Sequence, residues 1–265
     1  MENIWLPRNI ELAVKDLPYR RDKVGMSGSE ILIFDGMVLK IQERSAETDN
    51  EFKVIKWLNG RLPVPEIIEY SKAEGKVYCL MTKMPGLMAC DKSYLEDFGT
   101  LIDLTVQAME MLWSVDIADC PCCCLLDARL KAAAYNVHNN LVDMENTEPE
   151  TFGEGGFASP EELFSWLCDN RPKEEPVFSH GDFCLPNIFA ENGRVTGFID
   201  LGKMGVADRW QDIALCYRSL KDNFEGKYSG GGKYGGFYPE MLFERLGIRE
   251  DPEKLRYYIL LDELF

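Results

Sequence analysis

The apolar positions fall into two rhythms, strand-like in the first third of the chain and helical after it. Short apolar runs broken by glycine over residues 23–41 predict a strand, a glycine loop and a second strand. Phe52, Ile55, Leu58 and Leu62 recur at helical spacing, which predicts a helix over 51–62 ended by Pro63 and Pro65. Residues 77–81 predict another strand, and Pro85-Gly86 interrupts the pattern. Beyond that break Leu101, Leu104, Ala108, Met111 and Leu112 form one apolar stripe. Further helices are predicted over 127–141, over 160–168 with Ser159 as cap and Pro160 first, and over 210–220 and 252–265. Asn192-Gly193 predicts a hairpin turn between Ile188-Phe189-Ala190 and residues 195–199. Six glycines among residues 226–236 predict a flexible loop. The reading is α+β, with a small β-rich lobe (1–85) and a larger, mainly helical one (86–265).

Length and composition narrow the class. The chain has 265 residues, enough for two lobes around a cleft, with 46% hydrophobic and 28% charged residues. A formal net charge of −16 argues against nucleic acid or an anionic membrane as partner and suits a cationic ligand, although solubility alone also accounts for it. No apolar run is long enough to span a membrane, and the N-terminus does not read as a signal peptide, so a cytoplasmic protein is expected. The nine cysteines are expected to be reduced there. Cys120, Cys122, Cys123 and Cys124 raise the question of a metal, but the chain has only two histidines, His138 and His180, and no second cysteine cluster completes a zinc set. A loop of small, half-buried side chains is the simpler reading.

The chemistry is concentrated in Ser179-His180-Gly181-Asp182, with Asn187 five positions after the aspartate and Asp200 eighteen after it. Folding about the Asn192-Gly193 turn places Asn187 opposite Phe198, give or take one residue. Asp200 and Asp182 then fall at the same open end of the hairpin. A carboxylate to orient a hydroxyl and oxygen donors for a metal on phosphates are what phosphoryl transfer asks of a protein. Lys40 interrupts the apolar run Met37-Val38-Leu39-Lys40-Ile41, where an ammonium needs an anionic partner, and Glu51, at the start of the predicted helix, is the candidate. Gly25-Met26-Ser27-Gly28-Ser29 offers backbone N–H groups and hydroxyls for phosphates, although it is not a Walker A sequence. At the other end of the chain, Asp262, Glu263 and the carboxylate of Phe265 gather where a helix dipole favours cations, a conflict an amine-rich ligand would relieve.

These residues resemble the aminoglycoside phosphotransferases. Ser179-His180-Gly181-Asp182 with Asn187 and Gly197-Phe198-Ile199-Asp200-Leu201-Gly202 carry the likeness. It is closer to the aminoglycoside 3′-phosphotransferases through Gly25-Met26-Ser27, Leu62-Pro63-Val64-Pro65, Asp208, Asp212-Ile213-Ala214, Arg218-Ser219 and the terminal Leu261-Asp262-Glu263-Leu264-Phe265. The resemblance implies a protein-kinase-like two-lobe fold, ATP as donor with Mg²⁺, and transfer to the 3′-hydroxyl of kanamycin- or neomycin-type drugs, hence antibiotic resistance. Carried over by motif, Asp182 is the catalytic base and Asn187 and Asp200 are the Mg²⁺ ligands. Lys40, held by Glu51, contacts the phosphates; Ser27 belongs to the nucleotide loop, and Thr82 and Met84 offer backbone contacts to adenine. Asp143, Glu145, Arg218, Asp262, Glu263 and Phe265 are the acceptor-site candidates. Some relatives have an aromatic residue two positions before the lysine; here it is Val38, which leaves the choice between ATP and GTP open. A metabolic kinase of the same fold, acting on choline or a sugar, is the alternative, because the H-G-D-x-x-x-x-N set alone also fits those enzymes.

Overall fold

The computed structural model describes residues 4–21, 29–153 and 155–265. The glycine loop containing Ser27 lies outside them. The chain opens with α1 (Arg8–Ala13), followed by β1 (Arg20–Arg21), β2 (Glu30–Ile33) and β3 (Met37–Glu43). After α2 (Ala46–Leu58) come β4 (Ile67–Ala73) and β5 (Lys76–Thr82), and the five strands form one antiparallel sheet in the order β1-β2-β3-β5-β4. Side chains alternate across a strand, so Leu39 and Ile41 of β3 join Leu32, Tyr78 and Leu80 in a core capped by Ile10 of α1 and Val14 just after it. Lys40, between them, faces the other way.

Helix α2 starts five residues before the predicted 51. Ser45 forms a capping box: its hydroxyl accepts from the Thr48 N–H at 3.2 Å, and the Ser45 N–H donates to Thr48 Oγ1 at 3.0 Å. Glu51 therefore lies in the second turn rather than opening the helix. The helix ends at Leu58, before Pro63. Strand β4 carries no clean alternation, and the pattern missed it; a turn at Glu74 and Gly75, both at positive φ, pairs it with β5.

The remainder is mainly helical. A two-residue strand, β6 (Leu87–Met88), precedes α3 (Lys92–Leu95), α4 (Phe98–Trp113), α5 (Leu126–His138) and α6 (Pro160–Asp169). The predicted stripe lies on α4, where Leu101, Leu104, Ala108 and Leu112 are buried and Met111 is half-buried. Helix α5 stops three residues short of the predicted 141. Next come β7 (Pro176–Ser179), β8 (Ile188–Glu191), β9 (Arg194–Phe198) and β10 (Gly205–Asp208), with β7 paired to β10, and β8 pairing both β6 and β9. The chain finishes with α7 (Arg209–Glu225), α8 (Glu240–Leu246) and α9 (Pro252–Asp262). No helix among the described residues is long and apolar enough to cross a membrane.

The inner face of α2, through Val54, Ile55 and Leu58, belongs to the core of the helical part, and Trp57 packs on Phe178 at 5.2 Å between ring centroids. Asn50 donates through Nδ2 to the carbonyls of Gly202 and Met204, at 2.7 and 3.0 Å. Although it lies between two strands of the sheet in sequence, α2 is bolted to the segment after Asp200. Replacing Ser45→Ala removes the cap and is expected to lower stability by about 1 kcal/mol and Tm by roughly 2–4 °C, read by thermal denaturation.

Candidate active site

The hairpin closes on the predicted turn. Ile188 pairs with Phe198, and the Ile199 N–H donates to the Asn187 carbonyl at 3.0 Å, so the register is within one residue of expectation. Asn192 and Gly193 both take positive φ at its tip. At the open end Asn187 donates through Nδ2 to the Asp182 carbonyl at 3.0 Å and to Asp182 Oδ2 at 3.1 Å. Asp200 occupies the left-handed region, φ 57° and ψ 57°, a conformation uncommon outside glycine that aims its side chain off the strand axis.

Lys40 joins three elements. Its Nζ donates to both oxygens of Glu51, at 3.0 and 3.3 Å, and to Asp200 Oδ1. Lys40 and Glu51 are buried, whereas the Asp200 side chain stays 41% exposed. Burial alone would push the lysine pKa down; the carboxylates of Glu51 and Asp200 outweigh it and hold the ammonium above its ordinary range. Lys40, Glu51, Asp182, Asp200 and Lys203 line one cavity of about 480 Å³ with Ser29, Glu47 and Thr48.

The loop bearing Asp182 is fixed from below. Asp212, on α7, accepts from Ser179 Oγ at 2.9 Å and from the N–H groups of His180 and Gly181 at 3.0 Å each. Complete burial pushes its carboxyl up to about 7, against the pull of those three donors. His180 lies between Asp182 and Asp200: its Nε2 meets the Ile199 carbonyl at 3.0 Å, and the Asp182 N–H donates to Nδ1 at 3.4 Å. Burial lowers its pKa, which favours the neutral ring with its proton on Nε2. Gly181, at φ +78°, passes so close to Lys203 that a Cβ would stand 2.2 Å from that carbonyl.

The C-terminal acids face inward and find cations of the chain itself. Arg218 pairs with Asp262 Oδ2 and, at 3.2 Å, with Glu263 Oε1; Arg129 lies 3.8 Å from Asp262 Oδ1 and stacks its guanidinium over the Phe265 ring at 4.1 Å. Burial would raise the Asp262 carboxyl, but Lys203, Arg218 and Arg129 keep it below the usual carboxylate range. The dipole conflict read from the sequence is therefore relieved within the fold. Of the acidic loop, Asp143 caps its own turn through the Glu145 N–H and Asn146, and Glu145 is exposed. It is Glu148 that reaches the C-terminus, its N–H donating to Glu263 Oε2 at 2.8 Å. Thr82 donates its N–H to the Glu66 carbonyl at 2.9 Å, and Met84 is buried over Gly197.

Sequence reasoning passed over Asn50, Arg129, Glu148 and Lys203, since nothing local marks a residue whose partner is far along the chain. The cysteine cluster is a packing loop. Cys122 bonds Asn50 through its thiol, and the Cys124 Sγ lies 3.7 Å from the Lys203 carbonyl. No group of three or more His, Cys, Asp or Glu side chains that could hold a metal exists among the described residues.

Replacing Asp212→Asn turns an amide NH₂ toward N–H or O–H donors and leaves one of them unpaired. The expected result is a loss of about 1–3 kcal/mol in chemical denaturation, with a fall in kcat of roughly tenfold or more.

The geometry can be set beside known proteins. A family model described as the phosphotransferase enzyme family matches residues 23–257. An aminoglycoside 3′-phosphotransferase of Enterococcus faecalis is 37% identical over 258 residues, 92% of each chain, and one of Staphylococcus aureus is 36% identical over 92% of each. Among solved structures, an aminoglycoside 3′-phosphotransferase of type VIII superposes with a TM-score of 0.79 at 25% identity over 97% of both chains. A Streptomyces rimosus aminoglycoside phosphotransferase in complex with ADP and streptomycin shares the fold at a TM-score of 0.75 and 21% identity, over 96% of this chain and 95% of that one. The chain belongs to the phosphotransferase enzyme family and, within it, to the aminoglycoside 3′-phosphotransferases.

Proposed function

We propose that the protein transfers the γ-phosphoryl group of ATP to the 3′-hydroxyl of an aminoglycoside of the kanamycin or neomycin type, and so confers resistance to it. The observation that carries this reading is the convergence of Asp182, Asp200 and the Lys40–Glu51 pair around one cavity, with Asn187 bonded to Asp182 behind it. Residues 1–85 serve as the nucleotide lobe and residues 86–265 as the catalytic and acceptor lobe.

The donors suit magnesium. Asn187 commits its Nδ2 to Asp182, which leaves Oδ1 free of that contact, and Asp200 turns one oxygen to Lys40 while its side chain stays open to solvent. Two oxygen donors, completed by phosphates and water, are a magnesium set. Bound there, the ion would neutralise charge on the phosphates. Lys40 meets the α- and β-phosphates while Glu51 keeps it in place. Ser27 belongs to the loop over the phosphates, and the backbone at Thr82 and Met84 faces adenine. With Val38 in place of an aromatic, ring stacking contributes little to base selection, so GTP is a second donor to test.

Asp182 orients the acceptor hydroxyl. The Asn187 amide holds its carboxylate, and neutral His180 and buried Asp212 hold its backbone. As the acceptor oxygen bonds to phosphorus, its proton passes to Asp182 and the bond to the ADP oxygen breaks. The acidic surface near Asp262 and Glu263 attracts a polyamine, in keeping with the net charge of −16.

ADP release from ATP and magnesium, with kanamycin, neomycin, choline and a blank as acceptors, tests the reading. Turnover with either drug and none with choline is expected; turnover with choline alone would sink the proposed acceptor. Replacing Asp182→Ala is expected to lower kcat on the order of 10²-fold or more with little change in KM for ATP. Replacing Lys40→Ala is expected to raise KM for ATP and lower kcat together, because it removes the phosphate contact and leaves Glu51 buried without its cation.

A further inference from the structure

The segment after α7 is glycine-rich but not loosely attached. Gly226 ends the helix at φ +86° and packs so tightly on the returning chain that a Cβ would lie 2.8 Å from the Gly232 carbonyl. The Tyr234 N–H donates to the Phe224 carbonyl at 3.1 Å, and Phe237 stacks on Phe224 at 5.5 Å and meets Phe98 edge-on at 5.8 Å. These anchors fix where Lys227 goes. Its N–H donates to the Asp222 carbonyl at 3.0 Å, and its ammonium lies 2.7 Å from Glu148 Oε1 and 3.0 Å from Asp222 Oδ2.

Those two carboxylates are continuous with the acceptor-side acids. Glu148 bonds Glu263 through its backbone, Glu263 and Asp262 share Arg218, and Asp262 and Asp182 both act on the Lys203 charge. Lys227 and its two carboxylates are thus tied, through the Glu148 backbone and Glu263, to the Arg218–Asp262 pair. Asp262 and Glu263 are buried against arginine, whereas Glu148 and Asp222 are held by an ammonium on a side chain that stays 45% exposed. A primary ammonium on a flexible, partly exposed stem, bridging two carboxylates, has the chemistry of an aminoglycoside amino group.

We propose that Lys227 is a built-in stand-in for one acceptor ammonium. Resting on the aminoglycoside reading above, the inference makes Lys227 a specificity-determining residue. An acceptor amine that takes Glu148 and Asp222 must first displace it, so acceptors with an amine at that position bind more weakly than the acidic surface alone would allow. Acceptors without an amine there leave Lys227 in place and are unaffected.

The test compares the whole enzyme with Lys227→Met and Lys227→Arg, using neomycin and kanamycin as acceptors and measuring KM for acceptor and for ATP separately. Lys227→Met keeps the length of the side chain and removes its charge. It is expected to lower KM for at least one of the two drugs roughly fivefold, the effect of releasing two partly exposed ion pairs. KM for ATP should not move, and Lys227→Arg should stay near the parent value. Unchanged or raised KM for both drugs in Lys227→Met, while the parent enzyme turns them over, would overturn the inference and leave the aminoglycoside reading intact; Lys227 would then be a staple for its loop, visible as a lowered Tm. No turnover of either drug by parent or variant would overturn the reading and the inference together.

Discussion

One buried ammonium joins the parts on which everything else depends. Lys40 comes from β3, Glu51 from α2 and Asp200 from the end of the β8–β9 hairpin, and the three meet only if sheet, helix and hairpin are correctly placed. A lysine on the cleft side of a sheet core is unfavourable without its counter-charges, so the contact selects a single arrangement of those elements. Asn50, beside Glu51 on α2, reinforces it by tying the helix to the segment that follows Asp200, and the Cys122 thiol bonds the Asn50 side chain in turn.

Rigidity around Asp182 has a different origin. The Ser179 hydroxyl and the His180 and Gly181 N–H groups all donate inward to Asp212, a single buried carboxylate, while the side chain of Asp182 is left to face the cavity. His180, buried and neutral, spans the gap between that loop and the strand leading to Asp200. The Asp182 side chain is half-exposed to the cavity, yet the backbone around it is held by groups that water does not reach. This is the preorganisation that phosphoryl transfer relies on, since positioning and charge do most of the work.

Around the C-terminal acids, the surplus of acid is balanced locally by cations of graded accessibility. Arg129 and Arg218 neutralise Asp262 and Glu263 in the interior, and Lys227 neutralises Glu148 and Asp222 at the edge. Buried pairs keep their strength because solvent screens them little, whereas the half-exposed Lys227 pair is screened more.

The sequence by itself determined the local pieces. The Asn192-Gly193 turn set the hairpin register, Ser159 with Pro160 set the start of α6, and the spacing of Asp182, Asn187 and Asp200 followed from that hairpin, because each depends on neighbours a few residues away. It misread the start of α2, where the Ser45–Thr48 capping box outweighed an apolar pattern that begins at Phe52, and it missed β4, whose half-buried edge leaves little alternation to read. It also read the C-terminal acids as unpaired. Their partners, Arg129 and Arg218, lie 133 and 44 positions before Asp262, and the placement of Lys227 against Glu148 spans 79. Only the packed tertiary structure could decide these pairings, since a charge carries no local signal of which distant counter-charge it will meet.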